Sequence, residues 1–209
     1  MKSPADFLSH SNPFSTRFVR PGAIDFIFPA EIDCDQLIMR LAANGWLGAL
    51  VGPHGCGKST LLSTLLAALQ ERGFASYLVS LHDGQRWLPR GWSGNLPHKQ
   101  PGKSLLAIDG YEQLNRWSRW SLCRRCRRNG WGLLVTTHEP VSIPTLIQLR
   151  PSLETLQAIV NRLLPPGVRT LTPEDVIQAF EAARGNLREA LFDLYDRHEG
   201  ISVARRPAE

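Results

Sequence analysis

No run of roughly 20 apolar residues, the length that a helix needs to cross a bilayer, occurs in this 209-residue chain, so insertion into a membrane is not expected. The opening residues, Met1-Lys2-Ser3-Pro4-Ala5-Asp6, lack the apolar stretch of a secretory signal, and a cytoplasmic address is the resulting expectation. Cysteine is sparse, at positions 34, 56, 123 and 126, and only Cys123-Arg124-Arg125-Cys126 has ligand-like spacing. One such pair is half of a zinc site and no second pair completes it. The surrounding Arg124, Arg125, Arg127 and Arg128 disfavour a cation and are expected to lower the thiol pKa, so reduced structural thiols are expected. Internal repeats are absent. Acidic residues are in deficit, 19 against 24 Lys and Arg, and the resulting +5 charge and pI of about 9.3 permit an acidic partner without requiring one.

What is present is an ordinary globular composition, 43% hydrophobic and 21% charged, long enough for one substantial core and a small appendage. Residues 1–30, punctuated by Asn12-Pro13-Phe14 and Arg20-Pro21-Gly22, read as an irregular lead-in. A helix is expected over 33–43, where Leu37, Ile38 and Leu41 recur at helical spacing before Asn44-Gly45. Short apolar strands are expected over 46–51, 74–81, 104–109, 131–137 and 145–149. Helices are expected over 59–72, ended by Gly73, and over 112–128. The Pro- and Gly-rich stretch 82–103 is a surface excursion. Beyond Pro151 only helical patterns remain: 152–164, one opened by Thr172-Pro173-Glu174, and one opened by Asn186-Leu187-Arg188-Glu189 and running to about His198. The expectation is therefore a three-layer α/β/α sandwich with a parallel five-stranded sheet over 31–150, a small helical lid over 151–199, and a polar tail over 200–209.

Between the first strand and its helix lies Gly52-Pro53-His54-Gly55-Cys56-Gly57-Lys58-Ser59, followed by Thr60, which fits G-x-x-x-x-G-K-[ST] in full. Glycines let successive backbone N–H groups turn toward one anion, and a helix beginning at Lys58 offers its positive end to the same place. This is a phosphate-binding loop, with residues 52–60 around the phosphates of a nucleotide, ATP with Mg²⁺ being the expected ligand. Lys58 would neutralise the β and γ phosphates and the Ser59 hydroxyl would bind Mg²⁺. The strand Leu105-Leu106-Ala107-Ile108 ends in Asp109, a second expected Mg²⁺ residue, although an aspartate before a glycine is also an ordinary turn.

With these elements the chain resembles the AAA+ and STAND branches of the P-loop NTPases, across roughly residues 37–197. Those proteins insert a strand between the loop strand and the Asp strand, and 74–81 is the candidate. The resemblance implies Walker A and Walker B elements and ATP hydrolysis coupled to conformational change. The catalytic acid that commonly follows the aspartate is replaced here by Gly110. The run Asp109-Gly110-Tyr111-Glu112 resembles the STAND variant, which gives Glu112 the water-orienting role; an acid in the first turn of a helix is the plain alternative. The resemblance also implies a polar sensor after the fourth strand, Thr137 with Thr136 or His138 as rivals. In Gly185-Asn186-Leu187-Arg188-Glu189 it implies a second sensor, Arg188, reaching for the γ-phosphate from the lid. Otherwise Arg188 is a surface residue of a capping turn.

An arginine finger is expected of ring-forming members, and Arg127, Arg128 or Arg150 are the candidates. The same basic helix, which also carries Arg116 and Arg119, is alternatively a nucleic-acid patch or a solvated face. Trp117 and Trp120 on it read as core or subunit contacts. A protein partner or self-association is expected of so short a chain. Three further classes compete with this reading: a non-hydrolysing regulatory adaptor, a small kinase and a transporter ATPase. The kinase lacks an acceptor lid between the third and fourth strands, and the transporter lacks its Leu-Ser-Gly-Gly-Gln signature.

Overall fold

The computed structural model describes residues 12–15, 24–29, 31–89, 91–92, 103–164 and 171–204. Asp33 caps the first helix, α1 (Cys34–Ala43), by accepting the Gln36 N–H, and the chain then turns through Gly45 and Trp46 at positive φ into β1 (Leu47–Val51). The remaining elements follow in order: α2 (Lys58–Glu71), β2 (Ala75–Ser80), β3 (Ser104–Asp109), a 3₁₀ turn (Tyr111–Gln113), α3 (Arg116–Asn129), β4 (Gly132–Thr137), β5 (Thr145–Gln148), α4 (Leu153–Leu163), α5 (Pro173–Ala182) and α6 (Leu187–Ala204). The five strands form one sheet in the order β2-β3-β4-β1-β5, every pair parallel.

Strands buried on both faces read as continuous apolar runs. β3 and β4 fit that description, and β4 is buried along its whole length. On one face Ala49, Val51, Leu106, Ile108, Leu133 and Val135 pack against Leu122 and Cys126 of α3. On the other, Gly48 faces α1: a Cβ there would lie 2.9 Å from Leu41 Cδ1, closer than side chains approach. Helices thus cover both faces of the sheet.

Three expectations are corrected. The strand at 74–81 is not the one between the loop strand and the Asp strand. It is the sheet edge, and β4 occupies the place between β1 and β3. The alternation of Ser76, Tyr77, Leu78, Val79 and Ser80 suits an edge exposed on one side, whereas the unbroken apolar run of β4 needs two neighbours. The helix expected over 112–128 is interrupted: after the 3₁₀ turn, Asn115 starts α3 afresh by accepting the Ser118 N–H at 2.8 Å, so Glu112 is not on that helix. Trp117 and Trp120 are not in the core. They lie on the exposed side of α3, whose inward stripe is Ser118, Leu122 and Cys126.

The chain divides into two compact units. One, residues 28–53 and 58–149, holds the sheet with α1, α2 and α3; the other holds residues 1–27, 54–57 and 150–209. In the second, Leu156, Val160, Val176, Ala179, Leu187 and Leu194 form a core sealed by Phe14, and Asn12 Nδ2 donates to Tyr195 O at 2.9 Å. Of the lead-in, residues 1–11, 16–23 and 30 lie outside the described residues; within 12–15, Phe14 is a core residue of the helical unit. Thr172 and Asp175 close a reciprocal capping box on α5. α6 extends to Ala204, beyond the His198 end expected, so the tail begins later than 200. Of the 82–103 excursion, 90 and 93–102 lie outside the described residues, as do 165–170 and 205–209.

Candidate functional site

The loop after β1 is built from backbone. Gly55 and Gly57 have φ of 70° and 93°, the left-handed region that side chains disfavour. A Cβ on Gly55 would lie 1.7 Å from Asn186 Oδ1, so glycine is also needed for space. Lys58, the first residue of α2, is buried and donates from Nζ to Gly52 O at 2.8 Å and Pro53 O at 2.7 Å. Its ammonium is therefore held inside the curl of its own loop. Cys56 is buried, His54 is exposed, and Ser59 and Thr60 sit half-buried in the first turn of the helix. Successive left-handed glycines, a helix start and a buried ammonium together suit a polyphosphate in both shape and charge.

Register brings the ends of three strands together. Val51 pairs with Thr137, the Gly52 N–H donates to Thr137 O at 3.1 Å, and Ile108 pairs with Val135, which leaves Asp109 beside Thr136. The Thr136 hydroxyl donates to Asp109 Oδ1 at 2.6 Å and accepts the Gly110 N–H at 2.9 Å. One carboxylate oxygen of Asp109 is thereby oriented at the strand end, and a carboxylate is the hard oxygen donor that Mg²⁺ favours.

Gly110 explains why no acid follows Asp109. Its φ is 86°, and a Cβ would lie 2.8 Å from Leu81 O, a backbone atom already bonded into the β2–β3 edge through Leu81 N to Asp109 O at 2.8 Å. A glutamate cannot occupy that position without moving the edge strand. The acid comes two residues later, on the 3₁₀ turn: Glu112 Oε1 lies 2.8 Å from His138 Nε2, while Oε2 is buried and has no hydrogen-bond partner among the described residues. The turn itself is fixed by Arg119, which donates to Glu112 O at 2.7 Å and Leu114 O at 2.8 Å. An orphaned buried carboxylate oxygen is costly and marks a place for a donor such as water.

After β4, Thr137 donates its hydroxyl to Glu139 O at 3.0 Å, and the residue that meets Glu112 is His138. This pairing was missed, although alternation along a strand puts Thr136 and His138 on the face opposite Thr137 and could have suggested it. In the helical unit Asn186 caps α6, its Oδ1 accepting the N–H groups of Arg188 (3.1 Å) and Glu189 (3.3 Å), and it is this side chain that abuts Gly55. Arg188 is exposed, its guanidinium 6.0 Å from the Phe192 ring centre. The finger candidates Arg127, Arg128 and Arg150 are exposed as well.

Cys126 departs from expectation. Burial, the dominant influence, and then the neighbouring Cys123 push Cys126 up to about 12; Arg125 opposes them and loses. Burial likewise raises the Tyr111 hydroxyl, which lies 3.8 Å from Cys123 Sγ. Among the described residues no cluster of metal-ligating side chains is found and no helix is long and apolar enough to cross a membrane.

No protein-family model and no curated protein sequence matches the chain. Solved structures do. RuvB of Thermotoga maritima superposes with a TM-score of 0.60 at 18% identity, over 85% of this chain and 64% of that one. The Hsp104–ADP complex of S. cerevisiae gives 0.58 at 18%, over 95% of this chain and 42% of that one. A Walker-type ATPase of Pyrococcus abyssi gives 0.54 at 12%, over 92% and 75%. The chain thus spans less than two thirds of the RuvB and Hsp104 chains it matches.

Proposed function

This chain has the AAA+ P-loop NTPase fold, and from that premise we propose that it binds ATP with Mg²⁺ and hydrolyses it to drive a conformational change in itself or in a partner. The observation that carries this reading is the alignment, at the same end of β1 and β3 on either side of β4, of the glycine-turned loop with its buried Lys58 and of Asp109 with Glu112. Residues 52–60 would cradle the phosphates, Lys58 would neutralise the β and γ groups, and Ser59 and Asp109 would hold the metal. Mg²⁺ supplies charge neutralisation on the phosphate oxygens. Glu112, whose Oε2 has no hydrogen-bond partner among the described residues, would orient a water for attack on the γ-phosphorus and accept its proton as the bond to ADP breaks. Thr137 or its neighbours sense the γ-phosphate, and Arg188 on α6 ties the helical unit to the nucleotide's state. Self-association, with Arg127, Arg128 or Arg150 completing a neighbour's site, is the assembly this reading favours.

A second reading has one observation in its favour. Glu112 Oε1 is already engaged by His138, as suits a nucleotide-binding switch that does not turn over. Calorimetric titration of ATP with Mg²⁺, paired with steady-state turnover of the unaltered chain and Glu112→Gln, separates the two. Heat of binding abolished by Lys58→Ala, with turnover lost in Glu112→Gln, supports hydrolysis. Binding without turnover leaves the switch, and no heat at all overturns both.

A further inference from the structure

α3 carries six arginines and no acidic residue between Arg116 and Asn129. Arg119 is committed to the turn below it. Among the described residues none of the other five, Arg116, Arg124, Arg125, Arg127 and Arg128, forms an ion pair with a carboxylate. Positive charge collected on one helix without compensation is a standing attraction for a polyanion.

The same face carries three exposed indoles, two of them the most exposed large apolar side chains among the described residues. Trp117 is 75% exposed, Trp87 67% and Trp120 57%. Indoles are rarely left in water at such fractions, and three together form a patch that calls for an occupant. They are held in place. Trp117 and Trp120, one turn apart, meet edge to face with ring centres 6.0 Å apart. Trp87 is pinned beside them because the Asn115 N–H and the Ser118 hydroxyl both donate to Arg86 O at 3.3 Å. With Trp92 as floor, itself packed edge-on against buried Trp131, they line a cavity of about 370 Å³. Guanidinium groups stand at its margin: Arg124 is 5.5 Å from the Trp120 ring centre and Arg125 5.2 Å from that of Trp92.

From this juxtaposition of exposed indoles and of guanidinium groups that have no carboxylate partner among the described residues, we propose that α3, residues 86–89 and Trp92 form a binding site for single-stranded nucleic acid. A single strand presents an alternation of flat π faces and phosphates, and this face presents the complement. Bases stack on Trp117, Trp120 and Trp87, while Arg124, Arg125 and Arg128 meet the backbone. A duplex keeps its base faces inside the helix and offers only phosphates, so it lacks half of the recognition. A protein partner would satisfy the indoles but needs a dense acidic surface to answer five uncompensated arginines; the nucleic-acid strand carries one charge with every ring. The inference does not rest on ATP binding, since every residue it uses lies outside the loop and the acid turn.

Fluorescence anisotropy with labelled oligothymidylate and oligouridylate, and with a mixed-sequence duplex, tests it on the full chain without any triphosphate. Either single strand is expected to bind at least about tenfold tighter than the duplex. Affinity should fall with salt by about 0.7 log units per log unit of salt for each phosphate engaged, a slope that replacing Arg124, Arg125 and Arg128 by Gln flattens. Trp117→Ala and Trp120→Ala should each weaken binding about tenfold, while Trp117→Phe keeps most of it; the thermal midpoint stays put because the rings are exposed. Three results would overturn the proposal. One is no binding at low salt. Another is binding indifferent to both Trp→Ala variants or equal for duplex and single strand, which is bare charge attraction. The third is a concentration-dependent dimer, lost on Trp117→Ala, in a chain that binds no strand.

Discussion

The loop at 52–60 and the turn at 109–112 are built on opposite plans. In the loop everything is local: left-handed glycines set the backbone, and Lys58 bonds carbonyls only five and six residues before it. In the turn the acidic side chains are set by remote partners. Asp109 is oriented by Thr136 from the next strand, Gly110 is wedged under Leu81 O from the edge strand, and Glu112 meets His138 beyond β4. A device made from contiguous backbone has only one spelling. A device made from side chains on three strands can shift its acid by two positions, provided its partners shift too.

Moving the acid back is the sharpest way to break that contrast. In a Gly110→Glu, Glu112→Gln double variant the acid stands at the position more usual in the resembling family, yet turnover should stay about 10²–10⁴-fold down, the range typical of a lost general base. The reason is that a side chain at φ 86° with a carbonyl at 2.8 Å cannot adopt a working geometry. Recovery of turnover would mean the turn is more plastic than its contacts imply. The two glycines should then fail differently. Gly55→Ala should weaken ATP binding by about a hundredfold, the cost of a misplaced set of charge-assisted N–H donors, and lower stability by only about 1 kcal/mol, from the left-handed φ and the displaced Asn186 cap. Gly110→Ala should instead lower stability by about 1–3 kcal/mol in denaturant titration, because backbone and not a movable amide is in the way. His138→Ala is expected to lower kcat about tenfold with KM unchanged, as the loss of one hydrogen bond to a carboxylate would. A rise would show that the histidine restrains Glu112 and would favour the switch. The smallest effect belongs to Thr136→Val, about 1 kcal/mol of stability from the lost Asp109 and Gly110 contacts, read by thermal unfolding.

The fold was largely legible because its signals are local. The Thr172-Pro173 start, the Asn186 cap and the glycine stop at 73 each act within a turn of the residue that carries them. What eluded the sequence was everything set at a distance. The position of β2 at the sheet edge follows from pairing, which no strand specifies alone. The break before Asn115 competes with a helical pattern that is otherwise continuous, and only the tertiary anchoring of Glu112 and Leu114 by Arg119 decides it. The exposure of Trp117 and Trp120 was unforeseen because three-residue spacing fits either side of a helix; the small Ser118 marks the inward stripe. For Cys126, four adjacent arginines argued for a lowered thiol, but desolvation outweighs charges that sit in water.

β4 touches both plans at once, with β1 bonded to one side of it and β3 to the other. Two strand spacings of about 4.8 Å separate those neighbours, so the gap between loop and acid turn is roughly 10 Å across the sheet, metered by a single strand. Its six residues work as a gauge block. Lengthening or shortening the connections around it leaves the gap intact, whereas losing one residue from within it inverts which side chains face Asp109 and unseats Gly52 in the same stroke.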